Sequence, residues 1–217
     1  MGLFISMEGS DGCGKTTQMN LLQEALLARG YALTRSREPG GTRISEKLRE
    51  LVLDPENREM DERCEALLYA ASRAQHVREV IRPALERGEI MLCDRFIDSS
   101  VVYQGIGRGL GIREIAELNG WAVSGLMPDL TLILYIDYEE GLRRKKLQTE
   151  DHLDRLEQAA EDFHRRVNEG YKTLAELYPE RIVLIDACGS IAEVHKAVLD
   201  TVERFLAQHP DLKSASL

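Results

Sequence analysis

Short blocks of apolar residues alternate along this chain with longer stretches whose apolar positions recur every three or four residues. The first block, Leu3 to Met7, reads as a strand. Met19, Leu22 and Leu26 then fall at helical spacing, so Thr17 to Arg29 is predicted to be a helix, with Gly30 placed to end it. Tyr31 to Ser36, Ile90 to Cys93, Leu130 to Asp137 and Ile182 to Ile185 are further predicted strands. Helices are predicted over Ile44–Leu53, Asp61–Arg87, Leu110–Ser124, Gly141–Lys146, Glu157–Leu177 and Ile191–Gln208. Pro83 is expected to kink or end the second of these early, because it has no N–H to give. The charged stretch Gln148 to Asp154 reads as a mobile loop, and residues 209–217 as a polar, frayed tail. Unbroken apolar strands alternating with helices predict a parallel sheet covered on both faces. The expectation is a three-layer α/β fold with five parallel strands, one domain over residues 1–208.

Composition narrows the partners. The 217 residues are 43% hydrophobic and 30% charged, ordinary for a globular chain, but the net charge is −9. Such a surface repels nucleic acid and anionic membrane, so any grip on a phosphoanion must be a local cluster of basic groups. Cys13, Cys64, Cys93 and Cys188 are scattered without a CxxC pair, which predicts free thiols in a reducing cytoplasm. The longest strongly apolar run, Leu132 to Ile136, is too short to span a bilayer. No secretory leader is recognisable. "MGLFIS" fits the myristoylation pattern, but Gly2 feeds straight into a strand and no second anchor follows, so the match reads as accidental.

The chemistry begins at Gly9-Ser10-Asp11-Gly12-Cys13-Gly14-Lys15-Thr16. G-x-x-x-x-G-K-[ST] between a strand and a helix is a phosphate loop: the glycines let backbone N–H groups turn inward, and the helix that follows adds its positive end. Residues Gly9 to Thr17 are therefore expected to hold the phosphates of a nucleotide, with Lys15 reaching the β- and γ-phosphates and the Thr16 hydroxyl on Mg²⁺. Asp94 closes a buried strand, where such enzymes keep a carboxylate for the metal; an aspartate there also commonly starts a turn or caps a helix. A phosphate loop alone does not separate kinase, switch and motor. The chain lacks the N-K-x-D element of a guanine switch, while a kinase needs a second anionic pocket. Arg37, Arg73, Arg95, Arg108, Arg143, Arg144 and Arg155 are the candidate cations; solvated surface charge is the ordinary fate of most. Arg95 stands apart because it lies at the carboxyl edge of a central strand, where open α/β sheets bind ligands.

"EGSDGCGKTT", "REPGGT" (Arg37 to Thr42), "LLYAASRAQH" (Leu67 to His76), "CDRFIDSSVVYQG" (Cys93 to Gly105) and "LDRLE" (Leu153 to Glu157) occur in an order that resembles the thymidylate kinases, within the P-loop nucleoside monophosphate kinases. The resemblance implies the P-loop NTPase fold, transfer of the ATP γ-phosphoryl to dTMP giving dTDP and ADP, a need for Mg²⁺, and a homodimer. It implies that Asp11 holds the acceptor's 3′-hydroxyl near the phosphates, and that Arg95 bridges acceptor phosphate and transferred group. It puts Tyr69 against thymine and Arg73 at the base edge, with Ser100 and Gln104 hydrogen-bonding the base. Tyr103 would lie against the sugar, and Glu38 and Pro39 in a loop closing over the substrate. Because position 12 is Gly12, the donor-side arginine must come from a lid over residues 143–156, with Arg155 the first choice and Arg143 and Arg144 behind it. Two rivals stand at this point: a kinase for another acceptor, such as deoxyuridylate or a deoxynucleoside, and a nucleotide-binding regulator without catalysis.

Overall fold

The computed structural model describes residues 2–147 and 154–212. Five strands form one sheet: β1 (Leu3–Glu8), β2 (Leu33–Arg37), β3 (Ile90–Asp94), β4 (Leu130–Tyr135) and β5 (Ile182–Asp186). Their order is β2-β3-β1-β4-β5, and every pairing is parallel, with Met7 opposite Asp94 and Arg37 opposite Asp94 on its other side. Side chains alternate between two cores, as strand geometry requires. Phe4, Met91, Cys93 and Ile133 face one, and Leu3, Ile5, Met7, Leu92, Leu132 and Leu134 face the other. The first is covered by α3 (Glu62–His76), α6 (Ile112–Ala122) and α8 (Glu161–Leu177). The second is covered by α1 (Lys15–Ala28) and α9 (Ile191–Leu206). The layered, all-parallel sheet expected from the sequence is the one observed.

The chain leaves β1 toward β2 on one side of the sheet and leaves β3 toward β4 on the other. The carboxyl ends of β1 and β3 therefore border a crevice, the usual ligand position in such sheets. Backbone bonds tie the strand ends that face it: Arg95 N–H donates to the Met7 carbonyl at 3.0 Å, and Glu38 N–H to the Asp94 carbonyl at 2.9 Å.

Two helical stretches differ from expectation. The helix begun by α3 does not stop before Pro83. It widens over Val77–Ile81 into π-helical turns, where Arg82 N–H reaches back to the Val77 carbonyl, and continues as α4 (Arg82–Glu86). The wider turn absorbs the proline's missing donor instead of breaking the rod. Between Asp94 and Leu110, where the hydrophobic pattern predicts no element, α5 (Ile97–Ser100) runs into a second π-helical stretch over Val101–Gly107. Of the remaining helices, α2 is Arg43–Leu53, capped by the Thr42 side chain on Ser45 N–H at 3.1 Å, and α7 is Tyr138–Leu147. The expected loop at Gln148 to Asp154 lies, up to residue 153, outside the described residues, as do residues 213–217 of the expected tail. Pro210–Leu212 form a 3₁₀ turn.

Candidate active site

At the end of β1 the chain turns through Gly9 to Gly14 into α1, the strand–loop–helix order a phosphate loop requires. Gly14, at the helix start, is left-handed at φ 92°. Gly12 has φ +78°, and a Cβ there would strike the Gly141 carbonyl of α7, so α7 rests directly on the phosphate loop. Lys15 Nζ lies within the loop, donating to the carbonyls of Gly9 at 2.8 Å and Ser10 at 3.3 Å. Ser10 Oγ donates to Asn168. Thr16 and Thr17 are exposed on the first turn of α1, while Cys13 is buried.

Arg95 follows β3 with φ +67°, a backbone conformation rare outside glycine and characteristic of sites where position outweighs strain. It spans the crevice. Nη2 donates to Asp11 Oδ1 of the phosphate loop at 3.1 Å, Nη1 donates to Ser99 Oγ and Tyr171 Oη at 3.1 Å each, and the guanidinium carbon lies 5.2 Å from the Tyr103 ring centroid. Beneath it sits Glu8, wholly buried, accepting from Phe96 N–H at 2.7 Å, Ser99 Oγ at 2.5 Å and Tyr171 Oη at 3.2 Å. Burial, reinforced by the Asp98 charge, pushes the Glu8 carboxyl up to about 7 despite these donors.

Beyond Arg95 opens a cavity of about 250 Å³ lined by Asp11, Tyr69, Arg73, Arg95, Tyr103 and Gln104, among others. Glu38, Pro39 and Ser100 also border it, so the predicted acceptor residues converge on one space. Arg73 is 2% exposed, and protein acceptors take most of its donors: Glu38 Oε2 at 2.6 Å, Ser100 Oγ at 3.0 Å, the Phe96 carbonyl at 3.0 Å, and Asn119 Oδ1. That engages four of a guanidinium's five N–H groups among the described residues. Glu38 is held from its other side by His76 Nδ1 at 2.9 Å, and its bond to Pro39 is cis. The phenol of Tyr69 is raised by burial and by the neighbouring Glu65. The cavity thus combines guanidinium groups with phenol rings, Arg95 lying directly over Tyr103.

A family model described as thymidylate kinase matches residues 7–198. The chain belongs to the thymidylate kinase family. It is 48% identical to a thymidylate kinase of Shouchella clausii across 97% of this chain and 99% of that one. It is 51% identical to one of an Exiguobacterium species across 94% and 95%. Among solved structures it is similar to the thymidylate kinase of Ehrlichia chaffeensis, with a TM-score of 0.73, 32% identity and coverage of 93% of this chain and 98% of that one. Membership makes it a kinase built on the P-loop NTPase fold.

As a thymidylate kinase it departs from expectation at the lid. Arg155 does not reach the phosphate loop. It is buried, donating from Nη2 to Glu65 at 2.6 Å and from Nε to the Val52 carbonyl at 2.9 Å, so it anchors its segment to α2 and α3. An arginine in "LDRLE" reads equally as phosphate ligand or buried ion-pair partner, because its partner Glu65 is 90 residues away in sequence. Arg143 and Arg144 lie on α7 and both bond Glu140; Arg144 also donates to the Ala187 and Cys188 carbonyls. Gln104 lines the cavity as expected but also donates to Glu65 at 2.9 Å.

Sequence reasoning missed Glu8, Glu65, Ser99, Asn119 and Tyr171. A signal existed for two of them. Glu8 is a charged residue closing a buried strand directly ahead of the phosphate loop, and Glu65, Tyr69, Arg73 and His76 recur at spacings of four, four and three, a polar stripe on the buried face of α3. Ser99, Asn119 and Tyr171 carried none: Asn119 and Tyr171 meet Arg73 and Arg95 across 46 and 76 residues, and Ser99, though four residues from Arg95, takes its place from Glu8, 91 residues away.

Proposed function

We propose that this chain transfers the γ-phosphoryl group of ATP to dTMP, giving dTDP and ADP, with the residue roles that follow. Gly9 to Thr17 cradle the donor phosphates, and Lys15 swings from its carbonyl contacts to the terminal phosphates. Arg95 holds the acceptor phosphate and the group in transit; a two-pronged cation suits charge spread over equatorial oxygens in a loose, in-line transfer. The acceptor oxygen is already anionic, so positioning and charge neutralisation carry the rate and no general base is required. Tyr69 stacks on thymine, Arg73, Ser100 and Gln104 read its edge, Tyr103 fills the space beside the sugar, Asp11 takes the 3′-hydroxyl, and Glu38 with Pro39 closes the wall. With Arg155 committed to Glu65, Arg143 and Arg144 on α7 are the donor-side cations among the described residues.

Mg²⁺ fits the residues present. Asp94 Oδ1 is buried without a hydrogen-bond partner among the described residues, as suits a carboxylate reserved for a hydrated cation, and Thr16 offers an exposed hydroxyl on the first turn of α1. No cluster of three His, Cys, Asp or Glu among the described residues could hold a metal, which leaves phosphate oxygens and water as the other ligands. When bound, the ion screens the charge on the donor phosphates. We place the enzyme in the cytoplasm as a homodimer. Four free cysteines favour a reducing compartment, and no described helix is long and apolar enough to cross a membrane.

The observation that carries the proposal is the bridge from Asp11 through Arg95 to the walls of the cavity: one side chain touches the donor loop and faces the acceptor space. A coupled assay of ADP release tests it. Release that depends on dTMP, requires Mg²⁺, and falls at least about a thousandfold in Arg95→Ala is expected. ATP binding without acceptor-dependent turnover, or turnover with an unphosphorylated nucleoside instead, overturns it.

A further inference from the structure

Glu65 lies one helical turn before Tyr69 and two before Arg73 on α3, fully buried between the cavity and the chain that follows residue 153. Its Oε1 accepts from Gln104 Nε2 at 2.9 Å and Arg108 Nε at 3.3 Å, and its Oε2 from Arg108 Nη2 at 2.9 Å and Arg155 Nη2 at 2.6 Å. An ionised carboxylate only accepts, and two arginines keep this one ionised: although burial opposes the charge, the hydrogen bonds from Arg108 and Gln104 hold its carboxyl below the usual range. The amide of Gln104 can therefore meet Glu65 only through its nitrogen, since turned over it would set its oxygen against an anion. Its Oε1 accepts from no described residue and belongs to a side chain lining the cavity.

We propose that Glu65 is a positioning residue for base specificity: it locks Gln104 with the carbonyl oxygen toward the cavity, so that the pocket takes a pyrimidine whose N3 carries hydrogen and rejects one whose N3 is a bare acceptor. The inference rests on the acceptor reading of the cavity given above. Arg73 supplies the complement. Its one uncommitted N–H, on Nη2, is a donor for an exocyclic oxygen at position 4. Thymine presents that oxygen beside N3–H and meets a donor and an acceptor. A cytosine ring presents an amine beside a bare N3 and meets two like groups. A site built from fixed hydrogen-bonding groups discriminates far more strongly than an apolar pocket does. The arginines are part of the device, because they hold the carboxylate that holds the amide.

The test compares dTMP with 5-methyl-2′-deoxycytidine 5′-monophosphate, which keeps the methyl, sugar and phosphate and differs only at N3 and position 4. In Glu65→Gln the new amide can donate to Gln104 or accept from it, which frees the orientation. The ratio of kcat/KM for dTMP to that for the analogue is expected to fall at least about tenfold, mainly through a higher KM for dTMP. Glu65→Asp keeps the charge for Arg108 and Arg155 but withdraws it from Gln104 by one methylene, so it decides the matter if Glu65→Gln does not fold; the ratio falls in the same direction. In a Gln104→Ala background, Glu65→Gln is expected to change the ratio no further. A folded variant with unchanged ratio, or an equal fall when Gln104 is absent, overturns the proposal. Wild-type enzyme that fails to turn over dTMP overturns the acceptor reading itself, a separate result.

Discussion

Glu8 shows how a single residue can govern a site without facing it. Its carboxyl fixes Phe96 N–H, Ser99 and Tyr171, and the last two hold Arg95, so the acid sets the position of the arginine that spans the crevice. That arrangement has a measurable signature. In the folded protein Glu8 titrates near 7, against 4.5 for an ordinary glutamate, because burial, with the nearby Asp98 charge, disfavours ionisation. Between those two values the folded state holds a proton that the unfolded chain releases. Stability contributed by this group is thus present below pH 4.5 and lost as pH rises through 7, by on the order of 3 kcal/mol. Glu8→Gln, which cannot ionise, is expected to remove this component, so that urea denaturation of the variant between pH 5 and 8 gives a flatter stability profile than wild type. Profiles of equal slope would place the titration elsewhere. Little of this was legible beforehand: Asp11, Lys15, Arg95 and Tyr69 sit in recognisable motifs, whereas the role of Glu8 exists only once β1 lies beside β3 and Tyr171 of α8 reaches its carboxyl.

Elements with a strong repeating pattern were readable, and those built by tertiary demand were not. Met19, Leu22 and Leu26 mark α1 because one face of that helix meets the sheet. The stretch from Ile97 to Gly107 gives no such pattern. Its β-branched pair Val101-Val102 and its glycines Gly105 and Gly107 weaken local helix preference, and it is buried on several sides. Packing imposes its helix: α5 brings Ser100 to the cavity and the widened turns bring Tyr103 and Gln104. The segment around Arg155 is the other case, since "LDRLE" could serve phosphate or core equally well. Arg155 donates to Glu65 and to the carbonyl at the end of α2, and its own N–H donates to the Leu53 carbonyl at 3.0 Å, which makes it a tether between elements. Removing one partner of a buried pair leaves the other charge uncompensated, although Arg108 still neutralises Glu65 here. Arg155→Met is therefore expected to cost ~3 kcal/mol in urea unfolding and to raise the KM for dTMP, with kcat changed less than about threefold. A kcat loss of a hundredfold at unchanged stability would return Arg155 to the phosphates.

For the whole molecule, the sheet was the most predictable feature and the face it turns to other molecules the least. Five apolar runs separated by helices allow few arrangements other than a parallel sheet with its ligands at the carboxyl ends. Association is written differently, in what folding leaves uncovered. Trp121 on α6 is 85% exposed and Leu67 on α3 is 56% exposed, and these two helices pack against each other. Of these, α3 supplies Tyr69 and Arg73 to the cavity, and Asn119 of α6 accepts from Arg73. A tryptophan that buries roughly 200 Å² at ~25 cal/mol per Å² contributes about 5 kcal/mol, and a twofold interface uses each such residue twice. Gross gains of that size, reduced by the cost of association, suit a dimer at micromolar concentration. Trp121→Glu places a charge where that surface would be buried. Sedimentation equilibrium is expected to give twice the 24.5 kDa chain mass for wild type and the chain mass for the variant. If a partner supports α3 and α6, its loss is expected to raise the KM for dTMP, while that for ATP, whose proposed cradle is built on β1 and α1, stays within about twofold. A wild-type chain sedimenting at its own mass would show that this apolar face serves something other than a second copy.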